Sequence, residues 1–367
     1  MKIGILTYHR SHNYGALLQA YALKQFLIQQ GYSNVEFVDY FPDYHWKMYA
    51  NIQRKSLRNL TFKELLLYPY YYCFEFIPLY ILKEKRRKGF LKFIDNYIVP
   101  KSKDYQNQEY DIVIYGSDQI WRKQNKKTCP GFNKMYFGDE RIKAKKRIAY
   151  SASMGVIDLA PDDKEFLSES LKNFDAVSVR EKDLYETVKN LTVQKIYQTL
   201  DPVFLLNKKD WVRLYPKRLI KKNYILLYNF QPGKIAKEIA NQSSKLLNIP
   251  IIELTGGVNQ RFYRKGIKPT LSPSDFISLF IYTDFVISSS FHGVAFAIIF
   301  EKQFYTHCTH KPYRIISLLE SLRLGDRFIK DISNVDINNN INYNELQPVI
   351  EREKNISKEY LLNAIRY

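Results

Sequence analysis

Seven polar residues in this chain stand at or just beyond the carboxyl ends of β-prone runs, or in the loops that follow them, where open α/β sheets place their ligands: Asn13, Asp118, Ser151, Ser153, Arg180, His292 and Arg314. The densest stretch is 284–300. There Phe285-Val286-Ile287 passes into three serines, then Phe291, His292 and Gly293, then an apolar run long enough for a buried helix. Strand, tight turn and helix in that order turn free N–H groups and the positive end of the helix dipole toward any anion held in the turn. Ser289 and Ser290 add hydroxyl donors, and His292 adds an imidazole that can also carry a proton. The same stretch would serve as a polar turn with a capping serine and a histidine satisfied by backbone. Arg180, in Val179-Arg180-Glu181, suits bidentate capture of a carboxylate or phosphate. It suits equally a salt bridge to Glu181 or to an acid across the sheet.

Other chemistries lack their residues. There is no H-E-x-x-H, no G-x-S-x-G elbow and no cluster of carboxylate ligands, so neither Ser–His–Asp hydrolysis nor a metal mechanism has positional support. No metal and no cofactor are expected. The loop His9–Gly15 carries neither G-x-G-x-x-G nor G-x-x-x-x-G-K-[ST], which leaves a dinucleotide or P-loop reading unsupported. Asn13 and Gly15 would leave the start of the next helix open to a ligand, or would merely reverse the chain. What remains is a set of donors and cations with one histidine. It fits an anionic donor whose non-phosphate part is transferred while fixed positive groups hold the leaving phosphate.

The elements that must position these residues alternate. A strand over Lys2–Tyr8, a helix over Ala16–Gln30 and a strand over Val35–Tyr40 make a β-α-β unit. Further strands are expected at Asp111–Tyr115, Lys146–Tyr150, Ala176–Val179 and Lys195–Tyr197, with helices at Asp162–Lys172 and Lys182–Asn190, followed by the apolar run Asp201–Leu206. A polar, basic stretch at 207–222 marks a boundary, giving domains of 1–210 and 211–367. A second alternation follows: strand Tyr224–Tyr228, helix Ile235–Leu247, strand Pro250–Leu254, helix Pro273–Tyr282, the serine–histidine turn, strand Gln303–His307 and helix Tyr313–Leu322. Ser272, Pro273 and Asp275 read as an N-cap, a first-turn proline and a capping-box acid. A last helix over Leu346–Arg366 is placed to return to the first domain. The fold class is α/β, with two Rossmann-like doubly wound domains facing a cleft.

Between 44 and 108 the rhythm is interrupted by an insertion. Tyr68–Phe74 and Phe76–Leu82 are aromatic and apolar, and Lys83, Lys85, Arg86, Arg87 and Lys88 follow at once. Either a helix packs on the domain with a solvated basic end, or aromatics and cations meet the inner face of a membrane. Composition agrees with a globular chain: 46% hydrophobic and 25% charged residues over 367 positions allow two real cores. The formal net charge of +19 favours acidic partners. The cations are spread along the chain and no nucleic-acid-binding signature is present, so nucleic acid is not expected. Cys73, Cys129 and Cys308 form neither a zinc spacing nor a disulfide framework. With a strand beginning at once after Met1 and no apolar run near 20 residues, a cytoplasmic location is expected, with peripheral membrane contact compatible.

Taken together, six segments resemble the polysaccharide pyruvyl transferase family over roughly Ile5 to Arg327: the opening Tyr14–Leu23, Gly116–Trp121, Ser151–Gly155, Val177–Glu181, Asp201-Pro202-Val203 and Ser289–Gly293. Each is weak alone, and six in the family's order are specific. The resemblance implies a fold like the GT-B glycosyltransferases. It also implies transfer of pyruvate from phosphoenolpyruvate onto two hydroxyls of a sugar, free or lipid-linked, to form a cyclic ketal in a surface polysaccharide precursor. It ties Arg180 and His292 to the donor; in a mechanism built on it, Asp118 would accept a hydroxyl proton or orient the sugar. Some members carry an arginine two residues before that histidine, where this chain has Ser290. Arg314, in Lys311-Pro312-Tyr313-Arg314, is the expected source of the missing charge. Two other readings share these features: a glycosyltransferase using a nucleotide sugar, and a non-catalytic member of a glycan assembly complex.

Overall fold

In the computed structural model the described residues are 1–42, 69–98, 104–126, 129–215, 217–230, 233–258, 268–309 and 312–367. The first sheet has six strands in the order β2-β1-β3-β6-β7-β8, parallel throughout. These are β1 (Ile3–Leu6), β2 (Val35–Phe37), β3 (Glu109–Tyr115), β6 (Lys143–Ala152), β7 (Ala176–Val179) and β8 (Ile196–Gln198). A small antiparallel hairpin, β4 (Gln124–Lys126) with β5 (Cys129–Gly131), projects between β3 and β6. The second sheet has four parallel strands in the order β10-β9-β11-β12: β9 (Ile225–Asn229), β10 (Ile251–Thr255), β11 (Phe285–Ser288) and β12 (Gln303–Thr306). Strands such as β1, β9 and β11 are buried along their whole length and are apolar up to a polar last residue, Asn229 in β9 and Ser288 in β11, as parallel strands covered on both faces are. The expected architecture, two doubly wound parallel units facing a cleft, is the one that forms.

Helix α1 (Tyr14–Gln29) explains how the units are joined. Most of its residues, from Tyr14 through Leu23 and on to Phe26 and Leu27, are buried, so it has almost no solvent face. It lies inside one continuous apolar cluster that runs from Ile3 and Ile114 of the first sheet to Leu226 and Val286 of the second. Tyr14 stacks on Phe276 at 4.8 Å and donates its hydroxyl to the Leu271 carbonyl at 2.8 Å.

Except over Lys208–Leu214, where a helix forms inside the stretch read as a polar boundary, the other helices follow the sequence closely. They are α2 (Ile77–Phe93), α3 (Pro161–Leu171), α4 (Lys182–Lys189), α5 (Lys208–Leu214), α6 (Lys234–Leu247), α7 (Pro273–Tyr282), α8 (Phe291–Ile299), α9 (Tyr313–Ser321) and α10 (Tyr343–Arg366). The Ser272 cap of α7 forms as read, with Ser272 Oγ accepting from Asp275 N–H at 3.2 Å and Asp275 Oδ2 accepting from Ser272 N–H at 3.0 Å. The apolar run after Asp201 folds as a single 3-10 turn, Pro202–Leu205, because Asp201 Oδ1 captures the Val203 N–H at 3.1 Å. The last helix reaches the first sheet, where Tyr360 Oη donates to Ala149 O at 2.9 Å and Ser357 Oγ accepts from Leu200 N–H at 2.8 Å. The N-terminal part of the insertion, 44–68, lies outside the described residues; from 69 to 98 the insertion is helical.

Candidate active site

A cavity of about 350 Å³ opens between the carboxyl ends of the two sheets. Six of the residues singled out from the sequence line it: Asn13, Asp118, Ser289, Ser290, His292 and Arg314. Four different elements bring them there. Asn13 is the N-cap of α1, its Oδ1 accepting from Ala16 N–H at 3.3 Å. Asp118 sits in the turn after β3 with a φ of 68°, and its carbonyl accepts from both Ile120 N–H at 2.8 Å and Ser153 N–H at 3.1 Å. That left-handed backbone is uncommon for a residue with a side chain and is held by this double bond from two segments. Ser290 is the N-cap of α8, and no side chain caps that helix. The first N–H groups of α8 have no intrahelical acceptor and belong to a helix start whose residues Ser290, Phe291 and His292 line the cavity. Arg314 comes from the first turn of α9.

Beneath the cavity lies a buried chain of charges. Arg180 Nη1 donates to Asp201 Oδ2 at 2.6 Å, and Arg180 Nε donates to Glu181 Oε1 at 3.2 Å. The same Asp201 oxygen lies 3.6 Å from His292 Nε2, an ion-pair distance beyond hydrogen-bond reach. Ser117 Oγ approaches that oxygen too, at 3.3 Å. Three polar ends in this cluster are buried without a hydrogen-bond partner: Arg180 Nη2, Glu181 Oε2 and His292 Nε2. Natural structures rarely leave such groups unpaired unless a ligand or water completes them. Burial pushes the Asp201 carboxyl up, but His292, Arg180 and the Val203 N–H outweigh it and hold the group down to about 2. Burial likewise lowers Arg180, and the charges of Glu181, Asp201 and Asp118 more than restore it. Arg314 is drawn below the usual arginine value, first by burial and then by the charge of Arg180, with Asp118 and Glu181 opposing.

Some residues singled out from the sequence sit elsewhere. Arg180 does not line the main cavity. Its guanidinium packs 4.5 Å over the Phe291 ring and borders a smaller space of about 60 Å³ shared with Asp201 and Arg314. Both salt bridges allowed by the sequence, to Glu181 and to an acid across the sheet, are present, and one guanidinium nitrogen is left over. Ser151 and Ser153 are fully buried behind the cleft. Ser153 Oγ donates to Glu181 Oε1 at 2.5 Å and Ser151 Oγ to Thr199 O at 3.4 Å, so both hydroxyls are spent internally. Gly293 faces inward, where a Cβ would overlap Ser288 Oγ and crowd Tyr228. Gly15 packs flat against the His292 ring.

Sequence reading gave Glu181 only the part of a salt-bridge partner for Arg180, and gave no role to Asp201 or Arg122. Asp201 precedes a proline and caps a turn, which is reason enough for its type and conceals its second carboxylate oxygen. Arg122, next after the buried Trp121, and Phe230, just past β9, also line the cavity. Trp121 fixes that turn by donating Nε1–H to Tyr136 O at 2.9 Å. A further cavity of about 430 Å³, bordered by Phe204, Lys208, Glu301 and Lys354, contains none of the strand-end groups. Among the described residues no three His, Cys, Asp or Glu side chains converge as they would around a metal ion.

The molecule is thus a parallel α/β protein of two units with a cationic cleft at its strand ends. The family model described as polysaccharide pyruvyl transferase matches residues 13–311, and the chain belongs to that family. Among solved structures it is similar to a UDP-GlcNAc 2-epimerase from Methanocaldococcus jannaschii, at 12% identity and a TM-score of 0.42, covering 96% of this chain and 92% of that one. The heptosyltransferase WaaC of E. coli, solved with ADP, aligns at 10% identity and a TM-score of 0.39, covering 96% and 100%. A functionally uncharacterised protein from Klebsiella pneumoniae aligns at 11% identity and a TM-score of 0.40, covering 68% and 88%. No curated protein matches the chain.

Proposed function

We propose that the protein transfers pyruvate from phosphoenolpyruvate to two hydroxyls of one sugar, releasing phosphate and leaving a cyclic ketal. One observation carries this reading: Arg314, Arg122 and the open N-terminus of α8 surround a cavity that also holds His292 and Asp118. Fixed cations and helix N–H groups suit a small ligand that bears both a carboxylate and a phosphate. The phosphate lies at Ser289, Ser290 and the α8 N-terminus, and the carboxylate faces Arg314. Arg180 adds its charge from directly beneath and holds Asp201 in place.

The chemistry balances with these groups alone. A proton added to the methylene carbon of the donor leaves positive charge at C2, and His292 is the acid placed to give it. One sugar hydroxyl adds at C2, its proton passing to Asp118. The C2–O bond to phosphate then breaks, the second hydroxyl closes the ring and returns its proton to the now neutral His292, and the proton held by Asp118 leaves with the phosphate or to solvent. Asp201, ionised down to about pH 2, offsets positive charge on His292. A glycosyltransferase using a nucleotide sugar would share the helix N-terminus, and a scaffold would use none of these groups.

A thermal-shift series on wild type and Arg314→Gln tests the reading, with phosphoenolpyruvate, pyruvate, phosphate and nucleotide sugars as ligands. Stabilisation by phosphoenolpyruvate that weakens in the variant is expected. Stabilisation by a nucleotide sugar alone would overturn it in favour of glycosyl transfer, and silence from every ligand would favour the scaffold.

A further inference from the structure

The insertion helix has two unlike faces. From 69 to 98 the chain is helical without a break. Its inner face buries Phe76, Arg86, Phe90, Phe93, Ile94 and Ile98. Arg86 anchors it: Nη1 donates to Tyr14 Oη at 2.7 Å and to Pro269 O at 3.0 Å, and Nη2 donates to Gly256 O at 2.9 Å. The helix is therefore fixed to both units beside the N-cap of α1, and cannot swing away without exposing a buried guanidinium.

The outer face is a single stripe, each member three or four residues from the last. Tyr70, Phe74, Ile77 and Ile81 come first, then Lys85, Lys88 and Lys92. Tyr70 is 61% exposed, Phe74 69% and Ile81 58%. With Ile77 and Tyr80 they make five of the fourteen exposed large apolar side chains among the described residues, gathered within twelve positions. Apart from the adjacent Leu246 and Leu247, the others are scattered, as single exposed apolar residues usually are. Of the acids near this stripe, Glu84 is already neutralised by Arg87 through two bonds of 2.6 and 2.8 Å, and Asp95 lies exposed at its far end, three residues past Lys92.

We propose that this stripe seats the protein on the surface of an anionic lipid bilayer, with the aromatic end at headgroup depth and the lysine end against lipid phosphates. Three features select this occupant. Aromatic and aliphatic side chains continuing into lysines on one helix face match the layering of a bilayer interface. The lysines and the net charge of +19 complement anionic lipid and oppose a second copy of the same chain. No described helix is long and apolar enough to cross a membrane, so the contact lies in the interface plane. Docking does not depend on the proposed reaction. If that reaction holds, the arrangement brings the cleft to an acceptor carried on a membrane lipid.

The test is co-sedimentation of the full chain with vesicles of phosphatidylcholine alone or with about 30% phosphatidylglycerol, in the absence of any donor. Wild type is expected to partition onto the anionic vesicles at least about tenfold more than onto neutral ones. Tyr70→Ser/Phe74→Ser/Ile81→Ser and Lys85→Glu/Lys88→Glu are each expected to lose that binding. Leu246→Ser/Leu247→Ser, exposed apolar residues at the end of α6, is expected to keep it. Circular dichroism melts establish that each variant is folded. Equal partition onto both vesicle types, or unchanged binding in both stripe variants, would overturn the proposal. So would a wild-type dimer in light scattering that becomes monomeric in the triple variant without any vesicle binding.

Discussion

Gly15, second residue of the first helix, packs so closely on His292 that a Cβ there would overlap Nδ1 of the imidazole. The contact joins two units of the molecule and fixes the ring from one side, while Asp201 faces its Nε2 from the other. Glycine is required at 15 for space rather than for its backbone freedom. Gly15→Ala should displace the ring and lower the proposed pyruvyl transfer at least about tenfold, since misplacement of this order is costly to catalysis. Steady-state turnover with phosphoenolpyruvate measures it, and full activity would mean that the ring position is not used.

His292→Gln keeps a hydrogen-bonding side chain of similar reach and removes the transferable proton. Turnover should fall by about 100-fold or more, the usual worth of general acid catalysis, with stabilisation by phosphoenolpyruvate retained. Activity within a few-fold of wild type would leave His292 a phosphate ligand only.

Asp201→Asn removes the charge that Arg180 and His292 share. Breaking a buried pair costs about 3–5 kcal/mol, to be read from urea denaturation at neutral pH. The sign of the pH dependence follows from the depressed carboxyl. Its stabilising contribution is complete above about 4 and is lost as pH falls toward about 2, so the gap between wild type and variant should narrow across that window.

His12 gives the opposite kind of group with the same direction of loss. Burial, and then the charges of Arg86 and Arg87, hold it down to about 4 from an ordinary 6.5. The folded protein refuses a proton that the unfolded chain accepts, so stability declines as pH falls from about 6.5 to 4, by up to about 3 kcal/mol. His12→Gln should flatten the denaturation midpoint across that interval, and an unchanged slope would show that His12 does not set it.

Arg86→Ala should loosen the insertion helix, leaving the Pro269 and Gly256 carbonyls without their donor. A loss of about 2–4 kcal/mol is expected, together with faster proteolysis within α2 than in wild type. Arg86→Lys should restore only part of it, because an ammonium cannot reach both carbonyls and Tyr14 as a guanidinium fork does.

Much of this protein is written locally in its chain. The strand ends, the helix starts and the α7 capping box follow from periodicity and from single residues such as Ser272, because each depends on neighbours a few positions away. The turn before α8 is of the same kind, and its serines and histidine were legible as a group. Tertiary structure decided the rest. Arg180 and Asp201 meet across 21 residues of sequence, and His292 arrives from the other sheet. Whether a strand-end arginine faces a ligand or a carboxylate depends on which buried acid the fold brings beside it, and no local pattern carries that. Ser151 and Ser153 look like Ser289 and Ser290 in sequence, yet both are fully buried, Ser151 within the register shift of β6 against β7 and Ser153 just past the strand, bonded to Glu181. The insertion shows the division most plainly: its composition allowed a packed helix or a membrane face, and the buried Arg86 with the exposed Phe74 makes it both, each on its own side.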